Sequence, residues 1–138
     1  MLLTFYKEGV ECGFPSPARD FTESSIDLNE ELIHRPNSTF VVRARGHSMI
    51  DAGISPGDLI IVDRSLKPRH GSVIVAVLDG ELSIKILNIK SKHDISLESA
   101  NKNYEDVHVS EEMDFMIWGV CTYVVHAVSY THLRAHET

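Results

Sequence analysis

Cysteine is scarce in this chain. Cys12 and Cys121 are the only two, which argues against a disulfide framework, and they lack the paired spacing of a zinc site. No metal or cofactor is expected, and a reducing cytoplasm is the expected setting. Positive charge is also short. Against 20 Asp and Glu stand 13 Lys and Arg, a formal net charge of −7. A surface that gathers Lys and Arg to meet phosphates is therefore disfavoured, and no direct DNA binding is expected. The start of the chain lacks a long apolar run, since Met1 to Val10 already includes Lys7 and Glu8. Neither a signal peptide nor a membrane anchor is expected there. Internal repeats and low-complexity tracts are missing too. What remains is 138 residues, 43% hydrophobic, enough for one compact domain with ends.

Residues Cys12 to Ala18 read Cys-Gly-Phe-Pro-Ser-Pro-Ala. Two prolines and a glycine deny this segment both helical hydrogen bonds and regular strand pairing, so it is expected to be extended and accessible. Asp27-Leu28-Asn29-Glu30 then has the form of a capping box, with Leu28, Leu32 and Ile33 as an apolar stripe before Pro36, which predicts a short helix. From Thr39 the pattern changes to β-branched and aliphatic runs between turn residues, as in a small all-β domain. The runs are Thr39 to Arg45, Asp58 to Val62, Ser72 to Leu78, Glu81 to Leu87, His93 to Leu97 and Met116 to Val128. Asp79-Gly80 between two of them predicts a type I′ hairpin. Ser55-Pro56-Gly57-Asp58 and Lys67-Pro68-Arg69-His70-Gly71 predict further turns. The string from Ser129 to Thr138 follows no apolar period, resembles translated sequencing-adapter sequence, and is expected to lie outside the core.

Two residues raise the question of chemistry. Ser48, in Gly46-His47-Ser48-Met49-Ile50, follows an apolar strand where a glycine permits a sharp turn that presents a hydroxyl beside backbone amides. Alone it reads as an ordinary turn serine. Lys85 lies within an apolar strand, with Ile84 before it and Ile86 and Leu87 after it. Alternation places Ser83 and Lys85 on one face and Leu82, Ile84 and Ile86 on the other. An unremarkable lysine there would face water. To act as a base near neutral pH it would need its pKa, roughly 10.4 when free, depressed by desolvation.

These motifs resemble the LexA and UmuD group of self-cleaving serine peptidases, the S24 type. The resemblance rests on Ser48 with Gly46 and Met49, on Lys85 preceded by Asp79-Gly80-Glu81, and on Glu11 to Ala18, which is similar to the group's UmuD-type cleavage region. It continues through Asp51 to Ile54 and Pro56 to Asp63. It implies a mainly β fold: a single catalytic domain of curved antiparallel strands with a short helix, over residues 21–128. Before it stands a cleavable extended N-terminal arm, 1–20, and after it the tail, 129–138.

The resemblance further implies a serine endopeptidase that cuts itself. Ser48 would attack the carbonyl of Cys12 and break the Cys12–Gly13 bond, with neutral Lys85 as base and then acid. The amides of His47 and Ser48 would form the oxyanion hole. As partners it implies a second copy in a homodimer, a RecA filament on single-stranded DNA as activator, and the catalytic subunit of a translesion polymerase, all within the SOS response to DNA damage. A LexA-type repressor would need a DNA-reading domain, and eleven residues before Cys12 are too few for one. A non-catalytic binding module of the same fold would leave Ser48 and Lys85 dispensable. His34, His70, His93, His108 and His126 show no metal-ligand spacing, and Trp118 is expected in the core or at a dimer contact.

Overall fold

A computed structural model describes residues 1–7, 9–13 and 22–128. The tail from Ser129, with His132 and His136, and the Phe14 to Ala18 part of the Pro-rich segment lie outside the described residues. The chain divides into two compact units, Met1–His34 and Arg35 onward.

In the first unit, strand β1 (Leu2–Tyr6) pairs antiparallel with β2 (Glu23–Asp27), from Leu2 opposite Asp27 to Tyr6 opposite Glu23. The apolar Leu-Leu-Thr-Phe-Tyr run, assigned from sequence to an extended arm, is thus a strand. Helix α1 (Leu28–Leu32) follows directly, and the Asp27 carboxylate accepts the Asn29 amide at 3.0 Å as its cap. The capping expected at Asp27 is present.

The second unit is a seven-stranded antiparallel sheet. Its strands are β3 (Thr39–Arg43), β4 (Leu59–Asp63), β5 (Val73–Leu78), β6 (Glu81–Ser91), β7 (Asp94–Glu98), β8 (Val107–Val109) and β9 (Phe115–Val125). Their spatial order is β3-β4-β9-β5-β6-β7-β8. The expected runs all became strands, with ends shifted by a few residues, and β8 was added. The long final strand, β9, lies between β4 and β5.

Apolar clusters form on both faces of the sheet, and β5 contributes to each. Val75 packs with Ala44, Met49, Ile54, Ile60 and Val62, while its neighbours Ile74 and Ala76 pack with Leu87 and Leu97. Successive side chains of a strand point to opposite faces, so one strand feeds two apolar clusters. A run such as Leu-Ile-Ile-Val in β4, hydrophobic without alternation, is what a strand covered on both sides requires. At Asp79-Gly80 both residues have positive φ, 50° and 82°, as a type I′ turn demands, and Leu78 pairs with Glu81 across it.

Strand β9 carries irregularities against both partners, at Val75/Ala76 and at Ile61/Val62. Between them sits buried Gly119, where an added Cβ would stand 2.7 Å from Val62 Cγ1 and 3.1 Å from the Asp63 carbonyl oxygen. Gly119→Ala is expected to cost about 1–3 kcal/mol of unfolding free energy in urea, the usual range for overpacking a core. A variant as stable as wild type would contradict this close approach.

Asp63 ends β4 as a buried carboxylate. Its pKa falls from 3.8 to about 2. The largest cause is the Ser65 hydroxyl, 2.7 Å from Oδ1; burial opposes it, and the Ser65 amide, the Ser38 hydroxyl and Arg35 add to it. A carboxyl with a depressed folded pKa stabilises the fold above its unfolded pKa and loses that contribution as pH falls through the folded value. Unfolding free energy should therefore drop between about pH 4 and pH 2. Asp63→Asn should be less stable at neutral pH and flatter through that window; an unchanged acid slope would refute the assignment.

Candidate active site

Ser48 sits in a turn that the sequence builds from both sides. Upstream, the Ala44 amide donates to the Asp58 carbonyl at 2.8 Å and the Ala44 carbonyl accepts from the Gly57 amide at 2.9 Å. Gly46 then turns the chain at φ 74°, a left-handed conformation that favours glycine. Downstream, Met49 is 3% exposed and anchors the turn in the core, and Ile50–Ala52 forms a 3₁₀ turn closed by Gly53 at φ 81°. Ser48 itself is half-buried. The carboxylate of Asp58 accepts the Ser55 amide at 2.8 Å and lies 2.6 Å from His126 Nδ1, which fixes the turn to the end of β9.

The His47 carbonyl accepts from the Ile50 amide at 3.3 Å and from Asn101 Nδ2 at 2.8 Å. Among the described residues, neither the His47 nor the Ser48 amide donates to a protein acceptor.

Ser48 opens onto a cleft of about 430 Å³ whose walls include Val42, Ile54, Val75, Ser83, Ile84 and Trp118. Trp118, expected in the core or at a dimer contact, stands at this cleft. It is 37% exposed, meets Phe40 edge-on with ring centroids 6.2 Å apart, and has the Arg64 guanidinium 5.7 Å from its ring. Its position is the extra residue at the β5–β9 irregularity, where Val75 pairs with Gly119 and Ala76 with Ile117. Such a bulge re-aims a side chain, and alternation alone does not reveal it.

Lys85 lies on β6 directly opposite Ile74 of β5, which is fully buried. Desolvation lowers its pKa from the ordinary 10.5, the direction a base requires. Its amine donates to the Ser99 hydroxyl at 2.7 Å and lies 5.8 Å from the centre of the Tyr104 ring. The amine therefore bonds Ser99 rather than Ser48. Sequence reasoning singled out neither Ser99, Asn101 nor Tyr104, since Ser-Ala-Asn-Lys-Asn-Tyr reads as a polar turn after a strand.

Comparison with known proteins supplies the affiliation. Residues 4–122 match the family described as Peptidase S24-like. The chain belongs to that family. It is 38% identical over 121 residues to Protein ImpA of Salmonella typhimurium, covering 88% of this chain and 81% of the relative. It is 40% identical over 126 residues to Protein SamA of S. typhimurium LT2, covering 91% and 86%. The LexA repressor of Xylella fastidiosa is 35% identical over 111 residues, 80% of this chain but 52% of the repressor. Membership supports a self-cleaving activity of the serine-peptidase type and a mainly antiparallel β fold. No helix among the described residues is long and apolar enough to cross a membrane.

Cys12 is exposed, and Gly13 is exposed beside it, in the connection between β1 and β2. Cys121, by contrast, is partly buried on β9 opposite Val62 of β4 and packs against the core, where burial pushes its thiol up to about 12. The thiolate is the reactive form. Iodoacetamide at pH 8 is therefore expected to label the folded protein once, at Cys12, and a second time only on unfolding. Two rapid labels on the native protein would contradict the burial of Cys121.

Proposed function

We propose that this protein is a self-cleaving serine endopeptidase that cuts its own Cys12–Gly13 bond, with Ser48 as nucleophile and Lys85 as base. The observation that supports the reading is a strand lysine whose pKa is lowered by burial and whose hydrogen-bond partner Ser99 stands two residues before Asn101, which holds the glycine-turned loop of Ser48 through the His47 carbonyl. Neutral Lys85 takes the proton of the Ser48 hydroxyl as Oγ bonds to the Cys12 carbonyl carbon. The tetrahedral oxyanion receives the amides of His47 and Ser48. Its collapse breaks the C–N bond, and the Lys85 ammonium returns the proton to the Gly13 amine. Water then hydrolyses the ester, Lys85 again accepting a proton, to free Ser48 and leave Cys12 as a carboxyl terminus.

The relatives and the Cys12 to Ala18 motif support placing this reaction in the SOS response. There, a homodimer cleaves on contact with a RecA filament on single-stranded DNA, and the shortened form serves a translesion polymerase. A cytoplasmic location goes with those partners.

The test is intact mass against time for wild type, Ser48→Ala and Lys85→Ala from pH 7 to 10. Wild type should yield residues 1–12 and the remainder. Because only the neutral amine accepts a proton, the rate should rise about tenfold per pH unit below the Lys85 pKa and level off above it. That midpoint should lie below 10.5, since the amine is desolvated. Both variants should remain intact. Cleavage by Lys85→Ala at the wild-type rate would remove the lysine from the mechanism. Three intact proteins, even with an activated RecA filament, would leave a binding module.

A further inference from the structure

Three consecutive residues after β7 touch Lys85 and the turn that carries Ser48. Ser99 Oγ accepts from the Lys85 amine at 2.7 Å, the Ala100 carbonyl accepts from the Asp51 amide at 2.7 Å, and Asn101 Nδ2 donates to the His47 carbonyl at 2.8 Å. Asp51 and His47 flank Ser48 on either side. The lysine strand and the serine turn are therefore fastened to points two residues apart on one backbone, a span of roughly 7 Å at most. Asn101 is itself held, its Oδ1 accepting the Asn103 amide at 3.0 Å.

We propose that Ser99 is a positioning residue for self-cleavage, holding the Lys85 amine in the place from which it serves Ser48; this rests on the assignment of Ser48 and Lys85 above. Lysine has a flexible four-carbon stem and a strongly hydrated head, so a lysine at a strand position is free to reach water unless something keeps its amine inside. Ser99 has a short side chain directly after the end of the neighbouring strand β7. Its position follows from register: Ile86 pairs with Glu98, so the next antiparallel step sets Ser99 across from Lys85.

The bond suits both protonation states. As an ammonium, Lys85 has three donors and spends one on Ser99 Oγ. As a neutral amine it keeps two N–H donors and gains a lone pair. With one donor on Ser99, that lone pair is left to accept the Ser48 proton. The titratable and charged groups around the amine fit this role. Tyr104, from the turn after Ser99, presents its ring face to Nζ, and Glu98, beside Ser99, is engaged by Asn88 Nδ2.

The experiment compares wild type, Ser99→Ala and Ser99→Thr by three readouts: the pH profile of self-cleavage, the titration of the Lys85 Cε resonance in lysine-labelled protein, and the thermal midpoint. Ser99→Ala should cleave about tenfold more slowly, the scale of a lost supporting contact. Its cleavage profile and its Lys85 resonance should both titrate nearer the ordinary lysine value as the amine escapes to water, at an unchanged thermal midpoint. Ser99→Thr, which keeps the hydroxyl, should restore rate and titration. If wild type cleaves and Ser99→Ala matches its rate and pH midpoint, or if Ser99→Thr fails to rescue, Ser99 positions nothing. If wild type never cleaves, the dyad assignment falls, and an unmoved Lys85 titration in Ser99→Ala then overturns the positioning role as well.

Discussion

The register between β5 and β6 is the constraint on which the candidate site depends. Side chains alternate with a period of two, so a slip of one residue would send every side chain of β6 to the opposite face. The Asp79-Gly80 turn prevents the slip by closing the hairpin with two positive-φ residues and leaving Leu78 opposite Glu81. Counting along the ladder then fixes Lys85 against Ile74 and, through β7, against Ser99. A turn six residues away thus decides whether the lysine meets an apolar wall and a hydroxyl or meets solvent. Desolvation, the source of its lowered pKa, follows from that register.

The serine side of the site is built differently, from turns rather than a ladder. Gly46 and Gly53 supply left-handed corners, and Met49 between them is drawn into the same cluster as Ile60, Val62 and Val75. The catalytic candidate is therefore adjacent in sequence to a core anchor, so its backbone is held while its hydroxyl stays half-exposed at the cleft. Pre-organisation of this kind lets a short side chain be placed without a supporting helix. The Ala100 carbonyl and the Asn101 side chain add tethers from the lysine side, and the two construction principles meet in one stretch of three residues.

Much of this was legible in sequence because it depends on local rules. The β runs, the type I′ hairpin and the Asp27 cap each follow from residues within a few positions of one another. What was hidden depends on tertiary pairing. Leu2–Tyr6 is a strand because Glu23–Asp27 lies beside it, and polar Glu-Ser-Ser-Ile-Asp offers no strong strand signal of its own. Trp118 reaches the cleft through a bulge that period-two counting cannot register. Ser99 matters through a partner fourteen residues away, and nothing in Ser-Ala-Asn marks it except where the ladder places it. The Cys12, Gly13, Ser48 and Lys85 assignments came from resemblance to a family. The residues that brace the lysine came from geometry.

The pairing of β1 with β2 bears on what cleavage would accomplish. The Cys12–Gly13 bond lies in the chain that connects the two strands, so while it is intact the ladder from Leu2 to Tyr6 is an intramolecular contact. The ladder then costs only the entropy of closing the connection between Tyr6 and Glu23. Breaking the bond makes residues 1–12 a separate peptide whose hold on β2 is bimolecular. An isolated two-stranded ladder is marginal in water, and Leu2, Leu3, Phe5 and Tyr6 stay exposed within it, so little apolar burial retains the fragment. Cutting one bond in the connection would suffice to uncover the edge of β2, with its unpaired backbone donors and acceptors ready for another strand.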